Sequence, residues 1–180
     1  MNPAWVIRTG RLVLTPVAWP DLPDLVALKG DPSVYAQMLG GVRSPAQVRD
    51  ELAAEQAFWA ARGVGMWAAR EAGGGALLGT TGLHERPDGL GIALRFAFRP
   101  QMRGRGLARE AAGAALRFAH DRAGLPRVVA VTREANIASR TVLGAIGMRE
   151  NGGFLRDGHR MLVYESALPA QRGAGVPGCR

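Results

Sequence analysis

The spacing of apolar residues predicts a strand and two helices in the first third of the chain. Residues 11–15 follow a period of two, which is typical of a strand with one buried face. A short helix is expected over residues 19–29. A longer helix is predicted from Ser44 to about Arg62, because serine is a preferred N-cap and Pro45 suits the first helical position.

Three further strands are predicted in the middle of the chain, at residues 66–70, 76–84 and 91–98. A triple-glycine turn at residues 73–75 separates the first two, and an Arg-Pro-Asp-Gly turn at residues 86–89 separates the last two. Because short turns join them, we expect these strands to form an antiparallel meander.

The pattern changes after the meander, where a basic glycine segment at residues 103–106 leads into an alanine-rich helix at residues 107–123. Residues 127–132 form a short apolar strand. Since a full helix separates this strand from residues 91–98, the two are expected to be parallel neighbours joined by a right-handed crossover. This pair is predicted to lie at the centre of the molecule.

The end of the chain predicts a helix over residues 136–147 and a closing hairpin formed by residues 148–156 and 160–168. The glycine- and proline-rich residues 169–180 are expected to be a flexible tail. Together the elements predict one α/β domain over residues 1–168.

The composition agrees with a single folded unit. The chain has 180 residues, of which 47% are hydrophobic and 21% are charged. No apolar run approaches the roughly 20 residues that cross a bilayer, and residues 1–10 lack a signal-peptide core, so a cytoplasmic location is expected. The one cysteine, Cys179, allows no internal disulfide. His84, His120 and His159 lack ligand spacing, and we predict no metal.

The positive charge of the chain is carried by arginine. The net charge is +8, and Lys29 is the one lysine. Guanidinium groups pair bidentately with phosphate, so this balance suits a polyanionic ligand or nucleic acid, although genome composition explains it equally well. Aromatic residues make up 6% of the chain, and the arginines cluster at the glycine segment rather than among aromatic residues. Nucleic-acid binding therefore ranks last among the candidate functions.

The glycine segment carries the clearest chemical signal. Backbone amides at the start of a helix lack intrahelical partners, and together with the helix dipole they form an anion site. Glycines let the backbone approach a phosphate closely, and neighbouring arginines add positive charge. We predict that a phosphate group is bound by Gln101, Met102, Arg103, Gly104, Arg105, Gly106, Leu107 and Ala108.

Two common phosphate-binding motifs do not fit this segment. A P-loop requires Gly-Lys-Ser/Thr at the helix start, but Lys29 lies far away in the chain. A dinucleotide-binding loop requires glycine or alanine where Arg109 stands, and its strand opens a βαβ unit rather than ending a meander.

A family resemblance indicates which phosphate-containing ligand this segment binds. Residues 101–106 (QMRGRG) resemble the Q/R-x-x-G-x-G/A acetyl-CoA loop of the GNAT N-acetyltransferases. Residues 107–111 (LAREA) are similar to the continuation of that loop in the branch of ribosomal-protein acetyltransferases called RimJ/RimL-like.

Three more segments resemble the same branch. Asn136 and Ser139 match its N-x-x-S helix, which Gly147-Met148 closes, residues 9–14 match its T-x-R-L-x-L start, and residues 78–83 match its third strand. The likeness extends from about Thr9 to Leu168 with the motifs in the right order.

The resemblance implies a mixed α/β fold with about seven mostly antiparallel strands, a central splayed parallel pair and about four helices. It also implies acetyl-CoA as acyl donor, with the pyrophosphate on residues 101–108 and the pantetheine arm between strands 91–98 and 127–132. A main-chain amide near Phe96 or Phe98 would polarise the thioester carbonyl, as an oxyanion donor does.

Three residues of the second helix receive roles by the same resemblance. Asn136 is expected to hydrogen-bond the pantetheine, to cap its own helix, or to do both. Ser139 is the candidate for protonating or hydrogen-bonding the departing sulfur, with helix capping as the alternative. Arg140 is a candidate for the 3′-phosphate of the coenzyme, although a solvated helix face explains it equally well.

The general base departs from the pattern of the family. Many GNAT enzymes place a glutamate on the strand before the glycine loop, whereas residues 91–96 contain no carboxylate. His84 and Glu85 are the favoured candidates. The alternatives are an ordered water or a residue of the closing hairpin, namely Glu150, Asp157 or His159.

The predicted activity is transfer of an acetyl group from acetyl-CoA to a primary amine by direct attack on the thioester. The amine acceptor is a protein N-terminus or a small molecule, and the enzyme is a monomer or a homodimer. The alternative is a non-catalytic module that binds coenzyme A or nucleic acid.

Overall fold

The protein forms one mixed sheet with helices on both faces. The computed structural model describes residues 2–168, so the predicted tail at residues 169–180 lies outside the described residues. Within them the strands are β1 (Ile7–Arg8), β2 (Leu12–Pro16), β3 (Met66–Glu71), β4 (Gly79–Glu85), β5 (Ile92–Phe98), β6 (Arg127–Arg133), β7 (Arg149–Arg156) and β8 (His159–Ala167). The α-helices are α1 (Leu22–Lys29), α2 (Pro32–Tyr35), α3 (Pro45–Arg62), α4 (Leu107–Arg117) and α5 (Ile137–Ala145). None of these helices has the length and apolar character to span a bilayer.

The strand order confirms the predicted fold class. The strands follow one another as β1-β2-β3-β4-β5-β6-β8-β7. The meander β3-β4-β5 is antiparallel, the hairpin β7-β8 closes the sheet, and β5 and β6 are parallel. In the described part of the chain the sheet has eight strands rather than about seven, because β1 has two residues, too few to show a period in the sequence.

Two helical segments differ from the prediction. The single turn of α2 was not predicted, since its four residues show no helical repeat. The helix predicted to run to residue 123 is α-helical only as far as Arg117, and a wider π turn follows at Phe118–Arg122. In this turn the Ala123 amide donates to the carbonyl of Phe118 at 3.0 Å.

The long helix α3 has the predicted ends. The Ser44 hydroxyl accepts a hydrogen bond from the Gln47 amide at 3.3 Å, and the Gln47 side chain accepts one from the Ser44 amide at 2.8 Å. This reciprocal capping satisfies two amides at the helix start. At the other end Gly63 has φ 64°, a left-handed conformation that glycine adopts without strain.

Alternate residues of the strands fill two cores, one on each face of the sheet. Leu83 and Leu94 pack with α4 and α5 on one face. Ala97 packs with residues of α1 and α3 on the other. Because strand side chains alternate, His84 and Arg95 point to the same face as Ala97. The sheet therefore presents an α4–α5 side and an α1–α3 side.

The parallel pair at the centre of the sheet is open along most of its length. One register pair, Ala93 with Val129, joins β5 to β6. In contrast, β6 pairs with β8 along its whole length, from Arg127 to Arg133. Beyond Ala93, β5 and β6 therefore diverge, and a cleft opens toward the carboxyl ends of both strands.

Candidate active site

The glycine loop between β5 and α4 has the backbone that its sequence requires. Gly104 has φ 73° and Gly106 has φ 72°, both left-handed. A Cβ atom at Gly104 would meet nothing within 4 Å. Backbone conformation rather than crowding therefore requires glycine at position 104.

The loop presents free backbone amides to the surroundings. The Glu110 amide donates to the Gly106 carbonyl at 3.1 Å, which is the first hydrogen bond of α4. Preceding amides at the helix start have no intrahelical acceptor. Within residues 2–168, no backbone acceptor is found for the amides of residues 104–109. These amides and the positive end of α4 form a cradle for an anion.

The two arginine side chains of the loop bind elsewhere in the protein. Arg103 donates to the Ser33 carbonyl at 2.7 Å, which joins the loop to α2. Arg105 lies near Glu71 at 3.5 Å and near the Met102 sulfur at 3.3 Å. Their contribution to the cradle is therefore general positive charge, since both guanidinium groups already have protein partners.

Glu110 and Arg11 hold the loop against the sheet, a role that sequence reasoning missed. Glu110 accepts hydrogen bonds from the Thr9 hydroxyl at 2.6 Å and from the Arg11 amide at 2.9 Å. Arg11 also donates to the Arg105 carbonyl at 2.7 Å. Partial burial opposes the charge of Glu110, but the hydrogen bonds from Thr9 and Arg11 lower its pKa below the usual value. In the sequence, this contact could have been inferred from the Thr-x-Arg start of the chain's first motif and from the glutamate in the first turn of α4.

The cleft between β5 and β6 has a cavity volume of about 80 Å³. It brings together four of the residues singled out in the sequence, which come from three separate segments. These are His84, Phe96, Asn136 and Ser139. The residues that sequence reasoning did not select include Gln37, Met38, Leu39, Arg86, Arg95 and Arg133.

Backbone amides of β5 point into the cleft. The Arg86 amide donates to the Gly91 carbonyl and the Arg99 amide to the Leu78 carbonyl, which sets the alternation of hydrogen bonds between β4 and β5. By that alternation the amides of Phe96 and Phe98 point toward β6, beyond the one paired position. The Phe96 side chain lines the cleft, whereas the Phe98 side chain packs against the core on the α4–α5 side.

The start of α5 forms the opposite wall of the cleft. The Asn136 side chain accepts a hydrogen bond from the Ser139 amide at 3.1 Å, so Asn136 caps the helix. Ser139 lines the cleft one turn later. Arg140 donates to the Tyr164 hydroxyl at 3.4 Å and to the Glu134 carbonyl at 3.1 Å, so its guanidinium group already has hydrogen-bond partners within the protein.

His84 lies on the α1–α3 side of the cleft. Burial, together with the charges of Arg95 and Arg86, lowers the pKa of His84 to about 3. Its Nδ1 atom is buried and has no hydrogen-bond partner among the described residues. His84 therefore offers the cleft an uncharged imidazole at neutral pH.

A buried ion network lies beneath His84. Lys29 is 1% exposed and contacts Glu51 at 2.8 Å and Glu55 at 3.1 Å. Glu55 also contacts Arg95 of β5 at 3.3 Å. Burial opposes the charge of Lys29, but its carboxylate neighbours raise its pKa above the usual value. The lysine is thus a structural cation that ties α1 and α3 to the floor of the cleft.

The segment between α2 and α3 forms a third wall, with Gln37, Met38 and Leu39 lining the cleft. Arg43 holds this segment, because its guanidinium donates to the Leu39 carbonyl at 2.9 Å and to the Gly41 carbonyl, and pairs with Glu51. One arginine therefore shapes a turn that has little regular secondary structure.

The remaining candidates for the general base lie outside the cleft. Glu85 is exposed and contacts Arg62 at 3.3 Å. The candidates in the closing hairpin are also exposed and do not line the cleft, namely Glu150, Asp157 and His159. Within residues 2–168, no carboxylate lines the cleft.

Known acetyltransferases are similar to this chain in sequence and in fold. The sequence profile of the acetyltransferase (GNAT) domain matches residues 11–149. An acetyltransferase from Agrobacterium tumefaciens has 26% identity and a TM-score of 0.80, with 91% of this chain and 94% of that one covered.

Two ribosomal-protein acetyltransferases share the fold. RimL, the ribosomal L7/L12 alpha-N-protein acetyltransferase, solved with coenzyme A, has 16% identity and a TM-score of 0.74, with 92% of this chain and 99% of that one covered. The Salmonella typhimurium acetyl transferase that modifies the N-terminal serine of L7/L12 has 18% identity and a TM-score of 0.74, with 91% and 99% covered. With a profile match over most of the chain, a glycine loop of free amides and a splayed parallel strand pair, this protein belongs to the GNAT acetyltransferases, which transfer an acetyl group from acetyl-CoA.

Proposed function

We propose that the protein is an N-acetyltransferase whose acceptor is a primary amine that attacks the acetyl thioester directly. The observation that carries this proposal is the continuity of the site. Residues 93–96 of β5 line the cleft, and the loop with the free amides at the start of α4 follows the carboxyl end of the same strand. A pyrophosphate on the loop and a thioester in the cleft can then belong to one donor molecule.

The donor side of the site consists of the glycine loop, the β5 amides and the start of α5. In this proposal residues 101–108 hold the pyrophosphate, mainly through the amides around Gly104. Asn136 both caps α5 and binds the pantetheine arm. Arg140 stays a candidate for the 3′-phosphate, which would require it to leave or share its contact with Tyr164.

The amides of Phe96 and Phe98 and the hydroxyl of Ser139 serve the reacting atoms. Acetyl-CoA supplies an activated acetyl group with a thiolate leaving group, whose pKa is about 8.5. An amide of β5 polarises the carbonyl as an oxyanion donor. Ser139 hydrogen-bonds the sulfur as the carbon–sulfur bond breaks and the carbon–nitrogen bond forms.

The acceptor amine must lose a proton, since alkyl amines have pKa values near about 10. His84 lines the cleft and its buried Nδ1 has no partner among the described residues, so we assign it to accept a hydrogen bond from the amine or from an ordered water that carries this proton away. Because its pKa is lowered to about 3, the imidazole orients the proton transfer and does not hold the proton itself. The positive charge of Arg95 and Arg86 helps, because it also disfavours the ammonium form of the acceptor. Glu85 becomes the weaker candidate, since its carboxylate contacts Arg62 outside the cleft.

The fold shared with the ribosomal-protein acetyltransferases supports a protein N-terminus as acceptor, and a small amine is the alternative. The RimJ/RimL-like branch, a cytoplasmic location and a monomeric or homodimeric state are further parts of this proposal.

A screen of amine and peptide acceptors by thiol release from acetyl-CoA tests the function. We expect release that depends on the acceptor and yields the acetylated amine by mass spectrometry. Tight binding of coenzyme A without turnover of any acceptor would favour a non-catalytic coenzyme-binding domain, a second candidate that the lack of a carboxylate lining the described cleft supports.

A further inference from the structure

The α1–α3 side of the cleft is lined by positive charge. Arg86, Arg95 and Arg133 line the cleft together with the neutral His84. Within the described part of the chain, no aspartate or glutamate lines it. These residues come from the end of β4, the middle of β5 and the end of β6, and they meet only where the parallel pair splays.

The three arginines differ in how far their charge is already compensated. Arg86 is 6% exposed and pairs with Asp88 through both of its carboxylate oxygens. Arg95 contacts Glu55 at 3.3 Å, but Glu55 is shared with Lys29. Arg133 forms no ion pair within residues 2–168, since the nearby Glu134 pairs with Arg160 at 3.4 Å. Arg133 is thus the least compensated cation of the cleft.

Polar atoms without partners lie on the same side. The Arg95 Nε donor and the His84 Nδ1 atom are buried and have no hydrogen-bond partner among the described residues. Both residues line the cleft. A buried donor without a partner costs free energy, so a hydrogen-bond acceptor that enters the cleft would relieve this cost at Arg95.

This arrangement repels one class of acceptor and attracts another. A cationic acceptor such as a polyamine would bring its second positive charge against the arginines without a carboxylate in the lining to compensate it. A carboxylate would find a bidentate partner in a guanidinium group. The cavity volume of about 80 Å³ limits the group that enters to a small one.

We propose that the acceptor is an anionic amine, a primary amine that carries a carboxylate close to the reacting nitrogen, with Arg133 as the main partner of that carboxylate. The inference rests on the proposed function and specifies its acceptor. A free amino acid and a peptide with an acidic residue beside its N-terminus both present this chemistry.

Acceptors that differ mainly in one charged group show how the charge of the acceptor affects turnover. The probes are the tripeptides Ser-Asp-Ala, Ser-Asn-Ala and Ser-Lys-Ala as amides, together with serine and serinamide. We expect kcat/KM for the aspartyl peptide to exceed that for the lysyl peptide about tenfold or more, with the asparaginyl peptide between them. A preference of serine over serinamide would identify the free amino acid as the source of the carboxylate, and a preference confined to the peptides would identify the peptide.

A charge-removing variant assigns the effect to its residue. Arg133→Gln is expected to reduce the preference for the aspartyl peptide about tenfold, through the acceptor KM, while the KM of acetyl-CoA stays unchanged. The matched control is Arg49→Gln, which removes the same net charge. Arg49 is an exposed arginine of α3 that does not line the cleft. It should keep the wild-type preference.

The outcomes distinguish the two proposals. Turnover that is equal for all acceptors, or faster with the lysyl peptide, overturns the anionic acceptor and leaves the acetyltransferase intact. An equal loss of preference in both arginine variants overturns the role of Arg133. Binding of acetyl-CoA without turnover of any acceptor overturns the proposed function and the inference with it.

Discussion

The two sides of the cleft are built from different parts of the polypeptide. On the proposed donor side most groups that would face the ligand are backbone amides, presented by Gly104, by the first turn of α4 and by the open edge of β5. On the proposed acceptor side they would be side chains, led by His84, Arg95 and Arg133. The donor side needs only local backbone conformations, whereas the acceptor side needs segments that lie far apart in the chain to meet.

This difference determines which substitutions each side of the cleft tolerates. A backbone cradle tolerates many side chains, as long as glycine supplies the left-handed conformation. The acceptor side changes its chemistry with each side chain that lines it. Substitutions on the donor side should therefore affect binding or turnover of the coenzyme with every acceptor, and those on the acceptor side should affect the choice of acceptor.

The largest effect is expected from Gly104→Val. Valine disfavours the φ of 73° at this position, so the loop amides turn away and several charge-assisted hydrogen bonds are lost. Each such bond contributes about 1.5–3 kcal/mol, so the loss of two raises the Kd of coenzyme A about a thousandfold. Calorimetry measures this Kd.

Gly124→Val is the matched control for the loop. Gly124 has φ 66°, and a Cβ atom there also meets nothing within 4 Å, but it lies in the turn before β6, away from the loop. Both variants should lose similar stability, and only Gly104→Val should lose coenzyme affinity. Coenzyme binding that survives in Gly104→Val would refute the loop assignment.

A smaller effect is expected from Ser139→Ala. Removal of the hydroxyl should lower kcat about thirtyfold with little change in the KM of acetyl-CoA, because α5 keeps its cap from Asn136 to the backbone amide of residue 139. Steady-state kinetics with a fixed acceptor measures this. Thr141→Ala, which removes an exposed hydroxyl from the same helix, is the control. An unchanged kcat in Ser139→Ala would exclude a role for the hydroxyl.

Arg43→Lys tests the third wall of the cleft. Lysine keeps the charge near Glu51 but loses the planar fork that holds the Leu39 and Gly41 carbonyls. We expect the acceptor KM to rise about fivefold while the KM of acetyl-CoA stays constant. Arg49→Lys on the exposed face of α3 is the control. Parallel increases in both KM values would indicate a general loss of structure instead.

The smallest effect concerns the pH dependence of stability. In the folded protein the pKa of His84 is lowered to about 3, against an ordinary value of 6.5. Between these values the unfolded chain binds a proton that the folded chain does not, so the contribution of His84 to stability is complete above pH 6.5 and is lost as the pH falls toward 3.

Thermal unfolding of wild type and His84→Gln at several pH values checks this sign. The Tm of the wild type relative to the variant should fall by about 1–3 °C when the pH is lowered from about 7 to 6. Parallel Tm curves for the two proteins would show that His84 is more accessible to protons than its burial indicates.

Sequence patterns were sufficient for the elements with a clear period and a clear end. Ser44 and Gly63 mark the ends of α3 because capping and left-handed turns are local chemistry. The short β1 and α2 were missed, since a few residues show no repeat. The π turn after Arg117 was also missed, because its wider hydrogen bonds leave the alanine-rich pattern almost unchanged.

Sequence reasoning about the site was most informative on the donor side. Asn136 and Ser139 lie where the N-x-x-S motif suggested, at the start of α5 beside the cleft. On the acceptor side Arg95 was overlooked, although its position two residues after Ala93, the partner of His84, places both on one face. That relation depends on the register of the hairpin, which the turn sequence alone does not specify.

The sequence by itself determined most of the strands and helices and the glycine loop at a helix start, because each depends on residues near in the chain. It also indicated the parallel pair, because a full helix between two strands favours a parallel crossover. Only the tertiary structure decided that arginines, and no carboxylates among the described residues, line the acceptor side. The physical reason is that Arg86 directly follows β4, Arg95 lies on β5 and Arg133 ends β6, so their charges add up only where the sheet brings them to one opening.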